Sequence, residues 1–325
     1  MLLRLDDRAA AAHGLRARGP SAPKSEAALR AARGAHGEPG SRIPPGARLR
    51  ARRRAQATAV SVFAREREVA VRAARAAGAI VLRYYVPGIA AREKRPDNPV
   101  TLADLEANGC IHRFVEEAFP DDGWLSEETA DSHERLAHRR VWVVDPLDGT
   151  KEFIQHIPEF CVCVALVEDG RPVVAVEYNP AADRLYAAVR GEGTTVNGTP
   201  AHVSTTARVP DAVVLASRSE DKRGEWDAFK PHVHVKLTGS VAFKLAEIAT
   251  GAGDATFTLT PKNEWDICAG SLLVEEAGGR ATDLEGRPLV FNQPSPLRPG
   301  MIASNGVLHE GLLALIGEVA PRPPR

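Results

Sequence analysis

The spacing of apolar residues predicts two helices at the start of the folded part of the chain. Between residues 61 and 85, apolar residues recur at intervals of three and four with arginines on the other sides, which is typical of an amphipathic helix. Pro87 and Gly88 end this helix. A polar loop at 94–104 then leads into a second helix that we expect to end near Phe119.

The next stretch is patterned as strands. Two largely apolar runs at 160–167 and 171–178 flank the turn Glu-Asp-Gly at 168–170, and runs joined by so short a turn predict a β-hairpin. A further run at 185–189 extends the pattern. This part of the chain therefore predicts an antiparallel sheet with helices beside it.

From Val213 onward, strand-like and helix-like segments alternate, which is typical of an α/β unit. We place the boundary between the two organisations near Arg208. The predicted fold class is α/β, with an α+β N-terminal half at 58–208 that carries the antiparallel sheet and an α/β C-terminal half at 209–325.

The first 57 residues differ in composition from the rest. They are rich in Ala, Arg, Gly and Pro, so they cannot bury enough surface to offset the entropy lost on ordering. We predict a disordered basic extension at 1–57, and we favour a dispensable segment over a nucleic-acid arm, a lipid contact or a targeting peptide. Residues 1–60 carry twelve Arg and one Lys against four acids, a net charge of +9, so residues 61–325 carry −9. An acidic folded part argues against a protein that coats nucleic acid.

Cysteine content and hydropathy indicate the compartment. The four cysteines lack the paired spacing of a zinc site and the density of a secreted disulfide scaffold, so we expect them to be buried small residues in a reducing cytoplasm. No apolar run approaches the roughly 20 residues of a membrane helix, and an apolar signal-peptide core is absent from the N-terminus. We expect a cytoplasmic protein without a membrane partner.

One segment joins a strand to two carboxylates. The apolar run at 141–144 continues into Asp-Pro-Leu-Asp-Gly-Thr at 145–150, so a buried strand is expected to end in a turn that carries Asp145 and Asp148. The proline fixes φ between the acids, and the glycine lets the backbone approach a ligand. Both carboxylates and the Leu147 carbonyl can then converge on one or two hard cations.

Four other acids have an ordinary explanation when each is considered alone. Asp104 and Asp266 lie where helices are expected to begin, and a carboxylate there caps free N–H groups. Glu127 and Glu128 form an acidic pair of the kind that usually lies on a solvated surface. None of the four identifies a site by itself.

Together these motifs are those of a known family. The pair Glu127-Glu128, the segment 145–150 and Trp-Asp-Ile-Cys-Ala-Gly at 265–270 occur in the order and spacing of its Glu-Glu, Asp-Pro-(Ile/Leu)-Asp-Gly-Thr and Trp-Asp-x-x-Ala-Gly signatures. Residues 61–318 therefore resemble the inositol monophosphatase superfamily. The continuation Lys-Glu-Phe at 151–153 is most like the bacterial 3′(2′),5′-bisphosphate nucleotidases (the CysQ type). The resemblance implies a layered αβαβα sugar-phosphatase fold.

The resemblance also implies a metal centre and catalytic groups. Thr150, hydrogen-bonded to Asp104, would take the proton of the attacking water, and Asp104 or Glu127 would supply the basicity. Lys94 would stand beside the centre. Oxygen-only ligands suit Mg²⁺, and of two or three ions one would lower the pKa of a water while another neutralised the leaving oxygen. The implied metal ligands are Glu127, Asp145, Leu147 through its carbonyl, Asp148 and Asp266.

Substrate contacts are implied on the same basis. Backbone N–H groups at 149–150 would cradle the phosphate if they open a helix, and Lys244 would pair with a second phosphate. Ser-Arg-Ser at 217–219 matches a segment at the nucleoside pocket of the nucleotidases, which commonly have His at the next position. This chain has Glu220 there, and an acid beside a phosphate is unfavourable unless it turns to solvent. The implied substrate-binding residues are Gly149, Thr150, Arg218, Gly239, Ser240, Lys244 and Asp266.

The first hypothesis for function is a Mg²⁺-dependent phosphomonoesterase that removes the 3′(2′)-phosphate of adenosine 3′,5′-bisphosphate in sulfur assimilation. The enzymatic alternative is hydrolysis of inositol 1-phosphate or another sugar phosphate. A non-catalytic phosphate-binding protein of the same fold is disfavoured, because the acids and Thr150 are intact. By family analogy we expect inhibition by Li⁺. The expected partner is a small phosphorylated substrate, with no nucleic acid and no membrane, and the expected state is a monomer or homodimer.

Overall fold

The computed structural model describes residues 61–95 and 98–320, so the predicted extension at 1–57 lies outside the described residues. Helices and strands alternate through this part of the chain. Its helices are α1 (Ala64–Tyr84), α2 (Leu102–Ala118), α3 (Thr150–Ile154), α4 (Arg218–Lys222), α5 (Val241–Ala249), α6 (Glu264–Glu276) and α7 (His309–Val319).

The strands form two large sheets and two short antiparallel pairs. In chain order they are β1 (Arg92–Arg95), β2 (Asn98–Val100), β3 (Gly123–Ser126), β4 (Arg140–Asp148), β5 (Cys161–Glu168), β6 (Arg171–Asn179), β7 (Arg184–Val189), β8 (Gly193–Val196), β9 (Thr199–Ala201), β10 (Val213–Ala216), β11 (His234–Leu237), β12 (Ala255–Thr258), β13 (Lys262–Asn263), β14 (Arg280–Thr282), β15 (Leu297–Arg298) and β16 (Met301–Ser304).

The first sheet has the order β3-β4-β5-β6-β7-β8-β9 and is antiparallel apart from the parallel pair β3–β4. The second has the order β11-β10-β12-β16-β14, parallel around β10 and antiparallel around β16. The predicted mixed α/β class is confirmed. The boundary near Arg208 stays a prediction, because the described residues pack as one compact unit.

The two sheets and the helices stack in five layers. Helices α1 and α2 cover one face of the first sheet, α5 and α6 fill the space between the sheets, and α7 packs on the outer face of the second. The surfaces where these layers meet are apolar. A strand that is buried on both faces is therefore a nearly continuous apolar run in the sequence. The αβαβα layering implied by the family resemblance is therefore present. Among the described helices, none is both long enough and apolar enough to span a bilayer.

Two local predictions were wrong. The polar loop expected at 94–104 contains the antiparallel pair β1–β2, whose strands of four and three residues are too short to show a period-2 pattern. The helix expected near Glu225 lies earlier, as α4, and hydrogen-bonded turns follow it. The four cysteines are buried and free of disulfides, as predicted.

Candidate active site

A β-bulge at the end of β4 places two acids on one face of the first sheet. Asp145 pairs with Cys163 and Asp148 with Cys161, so three steps along β4 match two steps along β5. Residues three apart in a regular strand point to opposite faces of the sheet. The extra residue of the bulge brings Asp145 and Asp148 to the same face. Pro146, which has no N–H to give to the ladder, lies within the bulge. The acids therefore lie in the strand itself and not in the turn that we predicted after it.

Gly149 makes the turn that follows. Its φ is +94°, and a Cβ there would lie 2.8 Å from the carbonyl oxygen of Glu159 and 2.9 Å from the Cβ of Ser240. Both the conformation and the space exclude a side chain. The next residue, Thr150, begins the five-residue helix α3, so the backbone at 149–150 does open a helix.

Three carboxylates meet at this point. One oxygen from each of Asp145, Asp148 and Asp266 lies within 4.8 Å of the others. Burial and the mutual repulsion of the acids raise the pKa of all three carboxyls, to about 8 for Asp266. The backbone N–H of Leu147 donates to Asp145 Oδ1 at 2.9 Å. Crowded carboxylate oxygens form the donor set that Mg²⁺ prefers, so these residues fit the implied metal.

Asp148 also joins the first sheet to the layer of helices between the sheets. Its Oδ2 accepts hydrogen bonds from the Ser240 hydroxyl and from the Ala242 N–H, the latter at 2.8 Å. These donors lie at the N-terminus of α5, where a carboxylate is favoured by the unpaired N–H groups and the helix dipole. The bulge at the end of β4 is thereby fixed relative to α5.

Asp104 and Asp266 serve as helix caps and as site residues at once. Oδ2 of Asp104 accepts from the N–H and hydroxyl of Thr101 at 2.8 and 2.7 Å, and Oδ2 of Asp266 accepts from the N–H of Asn263 at 2.9 Å. Both belong to capping boxes. Capping uses Oδ2 of each carboxylate. The other oxygen of Asp104, Oδ1, accepts a hydrogen bond from the Thr150 hydroxyl.

The predicted hydrogen bond between Thr150 and Asp104 is present at 3.0 Å. The Thr150 hydroxyl also lies 3.1 Å from the Leu147 carbonyl oxygen, and its single proton can serve one acceptor at a time. Asp104 is 1% exposed, and burial raises its pKa although hydrogen bonds from Thr101 and Thr150 oppose this. Because the Thr150 hydroxyl donates its proton to this carboxylate, its oxygen lone pairs can still accept a hydrogen bond from a group in the cavity.

Glu127 is a predicted metal ligand that lies just outside the three-acid group. Its Oε1 accepts from Lys94 Nζ at 2.9 Å, and the same ammonium contacts Glu128. The negative charge of Glu127 is nevertheless close enough to raise the pKa of each of the three carboxyls. Lys94 therefore competes for this ligand, as expected of a residue that stands beside the centre.

The acids face a cavity of about 400 Å³. Arg218 and Gly239 lie outside its lining and contact Glu159: Arg218 through both terminal nitrogens and Gly239 through its N–H at 2.6 Å. Asp104 lies behind Thr150. The predicted site residues that line the cavity are Glu127, Asp145, Leu147, Asp148, Gly149, Thr150, Ser240, Lys244 and Asp266.

A model of the inositol monophosphatase family matches residues 64–320. The chain belongs to the inositol monophosphatase family. It is 35% identical over 259 residues to an inositol-1-monophosphatase of Mesorhizobium japonicum, with 76% of this chain and 94% of the relative covered. It is also 35% identical over 229 residues to the Nus factor SuhB of Escherichia coli K12, with 67% and 85% covered.

Solved structures agree with this assignment. An inositol monophosphatase from Anabaena is 28% identical with a TM-score of 0.68, and the match covers 81% of this chain and 99% of that one. The Thermotoga maritima enzyme is 29% identical with a TM-score of 0.68, covering 77% and 95%. As a member of this Mg²⁺-dependent family, the protein is a phosphoric monoester hydrolase.

Sequence reasoning missed Lys262, which lines the cavity together with Ser217 and Ser219. The two serines belong to the Ser-Arg-Ser segment that the resemblance places at a nucleoside pocket, whereas nothing marks Lys262 apart from its position just before the Trp-Asp signature. Glu220 does not turn to solvent as its chemistry suggested. It is 2% exposed, and its Oε1 accepts from Lys262 Nζ at 3.3 Å.

Proposed function

We propose that this family member is a Mg²⁺-dependent phosphatase that removes the 3′-phosphate of adenosine 3′,5′-bisphosphate. The observation that carries the proposal is Lys244, which lines the same cavity as the three acids although it is 2% exposed. A buried ammonium at a phosphatase site is costly unless an anion meets it. A substrate with one phosphate at the acids and another at Lys244 satisfies both ends.

Thr150 and Asp104 are proposed to handle the proton of the attacking water. The Thr150 hydroxyl donates to Asp104 Oδ1, so a water at its lone pairs can pass a proton through the hydroxyl to the buried carboxylate. Water oxygen bonds to phosphorus as the phosphorus–ester bond breaks, and the leaving 3′-oxygen takes a proton from solvent and ends as a hydroxyl. A carboxylate whose pKa burial has raised is a better base than a solvated one.

Four groups are proposed to hold Mg²⁺, with two or three ions at full occupancy: the carboxylates of Asp145, Asp148 and Asp266 and the carbonyl of Leu147. Glu127 would join them if it is released from Lys94. Bound Mg²⁺ would supply Lewis-acid polarisation of the phosphate and a water of lowered pKa. The acids in turn keep the phosphate from binding without a cation, because their charges repel it.

Inositol 1-phosphate is the second candidate substrate, favoured by the 35% identity to the Mesorhizobium inositol-1-monophosphatase. The two substrates differ in the chemical group that each would place beside Lys244. Inositol 1-phosphate offers hydroxyl groups there, and the bisphosphate offers a dianion. A buried ammonium discriminates strongly in favour of the anion.

Relative kcat/KM on the two substrates tests the proposal. We expect phosphate release with Mg²⁺ to be about tenfold or more efficient on adenosine 3′,5′-bisphosphate than on inositol 1-phosphate, since a charge-assisted contact is worth about 1.5–3 kcal/mol. Fructose 1,6-bisphosphate serves as a control with two phosphates and no nucleoside. Equal or better turnover of inositol phosphate refutes the proposal. Full activity at tens of millimolar Li⁺ counts against the expected lithium sensitivity.

A further inference from the structure

We propose that Glu159 and Arg218 form a clamp that holds the segment Gly239-Ser240 in place and thereby positions the carboxylate of Asp148 for metal binding. Both residues then have a positioning role, and Arg218 does not make the substrate contact that the family resemblance implied. The clamp rests on the proposed function in one respect, because it acts through the proposed Mg²⁺ ligand Asp148. It does not depend on which phosphate ester the enzyme prefers.

Ser240 has a backbone conformation that a serine rarely adopts. Its φ is +53°, in the range that favours glycine, and such a conformation persists only where neighbouring groups hold it. The hydroxyl of Ser240 donates to Asp148 Oδ2 and accepts from the N–H of Phe243 at 3.0 Å. The strained residue therefore bonds directly to one of the three acids, and the groups that hold its backbone also hold Asp148.

Glu159 holds the residue that precedes this serine. Its Oε2 accepts a hydrogen bond from the N–H of Gly239 at 2.6 Å. The backbone of Glu159 also packs against Gly149, where a Cβ would lie 2.8 Å from the Glu159 carbonyl oxygen. The same Cβ would lie 2.9 Å from the Cβ of Ser240, so no space for a methyl group remains between the two segments. Glu159 thus fixes the Gly239-Ser240 segment against the turn that follows the acids.

Arg218 orients the carboxylate of Glu159. Each of its terminal nitrogens donates to a different carboxylate oxygen, with Nη2 at 3.0 Å from Oε1. A two-point contact of this kind sets the direction of a carboxylate as well as compensating its charge. Burial alone would raise the pKa of Glu159, but the hydrogen bonds from Arg218 and Gly239 hold the pKa below its ordinary value. The carboxylate is therefore both ionised and oriented.

Glu152 is a second carboxylate beside Arg218. Its Oε1 lies 3.8 Å from Arg218 Nη1, and its side chain occupies the space that a Cβ on Gly239 would need. Burial raises the pKa of Glu152, as does the charge of Asp148, whereas the charge of Arg218 opposes them. Arg218 thus faces two carboxylates, and its charge offsets the repulsion between them.

Two substitutions in the full-length protein break the clamp. Glu159→Gln replaces one acceptor oxygen with an amide that donates, and Arg218→Met removes the guanidinium. We expect each variant to raise the Mg²⁺ concentration for half-maximal phosphate release by about tenfold, and to lower kcat/KM equally on adenosine 3′,5′-bisphosphate and inositol 1-phosphate. The double variant should be no more than about twofold worse than the weaker single variant, because the two residues act as one unit. Arg218→Lys keeps the charge on a single nitrogen and should lie between Arg218→Met and wild type.

The ion pair between Arg190 and Glu275 supplies the matched control. Arg190 Nη2 lies 3.1 Å from Glu275 Oε2, and the side chain of Arg190 is 37% exposed against 35% for Arg218. The hydrogen bonds of Arg190 go to Glu275 and to the Pro172 carbonyl, and not to the Gly239-Ser240 segment. We expect Arg190→Met and Glu275→Gln to keep the Mg²⁺ requirement and kcat/KM within about twofold of wild type.

Hydrogen–deuterium exchange in EDTA follows the segment itself, without metal or substrate. The N–H of Gly239 donates to Glu159, so its protection reports on the clamp. We expect exchange in peptides that cover 237–244 to be about tenfold faster in Glu159→Gln and Arg218→Met than in wild type, and to be unchanged in the two control variants.

Three results would overturn the clamp. If Arg218→Met changed the ratio of kcat/KM between the two substrates and left the Mg²⁺ requirement unchanged, Arg218 would be a substrate contact. If exchange at 237–244 were the same in wild type and both clamp variants, the segment would not depend on Glu159. If the control variants showed the same changes as the clamp variants, the effect would be a general loss of stability. A preference of the wild-type enzyme for inositol 1-phosphate would instead refute the proposed function and leave the clamp standing, because the expected losses are equal on both substrates.

Discussion

The cavity is lined by two groups of opposite charge that are built in opposite ways. The acid wall, with Asp145, Asp148 and Asp266, packs like charges together and raises their pKa values. The lysine wall, with Lys244 and Lys262, places a carboxylate behind the cations. The first wall needs a bound cation before it can hold an anion, and the second does not. Metal removal therefore distinguishes the two walls.

The acids carry the largest expected effect. Asp148→Asn keeps an acceptor for the Ser240 and Ala242 donors and removes one charge from the acid wall. We expect kcat/KM to fall on the order of 10³-fold on every substrate, because a buried charged partner is worth about 3–5 kcal/mol. Phosphate release at saturating Mg²⁺ measures the loss, and circular dichroism checks folding.

The exposed Asp211→Asn is the control for that substitution, since Asp211 lies in a short 3₁₀ helix outside the cavity lining and pairs only with Arg208 within the described residues. If Asp148→Asn retained full activity, the acid wall would have no role in the reaction. A biological effect of an inactive Asp148→Asn protein would favour the non-catalytic binding role.

The hydroxyl of Thr150 comes next. Thr150→Ala removes the group that joins the cavity to Asp104, and we expect kcat to fall by about 10²-fold with KM little changed, as for a lost proton-transfer group. Thr150→Ser keeps the hydroxyl and should stay within about tenfold of wild type. Equal losses in the two variants would show that the methyl group, and not the hydroxyl, matters.

Metal removal should destabilise the acid wall in a pH-dependent manner. The folded-state pKa of Asp266 is about 8, above its ordinary value, so the folded protein binds more protons than the unfolded one between about pH 4 and 8. Stability in EDTA should then fall as pH rises through this window, by on the order of 2 kcal/mol for this group.

Urea midpoints in EDTA at about pH 5 and 8 measure that effect. Asp266→Asn should reduce the difference between the two midpoints, and Mg²⁺ should restore the wild-type midpoint at the higher pH because it compensates the ionised acids. If the midpoints of wild type and Asp266→Asn changed equally with pH, the raised pKa of Asp266 would be contradicted.

The lysine wall carries the smallest expected effect. Burial lowers the pKa of Lys244, so binding of adenosine 5′-phosphate in EDTA should weaken by about tenfold at alkaline pH, where the charge is lost. Glu220→Gln should move this loss to lower pH, because Glu220 favours the protonated lysine. Titrations across the alkaline range measure the shift. If the dependence of binding on pH were the same in Glu220→Gln and wild type, Glu220 would have no effect on the protonation of Lys244.

Much of the acid wall was predictable because each of its parts is local. The order of strand and acids at 141–150, the caps at Asp104 and Asp266, and the need for glycine at 149 all follow from neighbouring residues. The bulge was not predicted, since it depends on how β5 pairs with β4. The resemblance placed Lys94 beside the centre, but its ion pair with Glu127 was not predicted, because Lys94 comes from a hairpin too short to leave a pattern.

The sequence by itself determined the class of fold, the family and the set of acids, because periodicity, turn residues and motif order are properties of adjacent positions. Only the tertiary structure decided the contact between Lys262 and Glu220. These residues come from β13 and α4, and their ion pair depends on how those elements pack. The same packing decided the environment of Glu220. An acid that is an apparent obstacle to a phosphate when adjacent residues alone are considered is instead buried and paired with a lysine of the cavity lining.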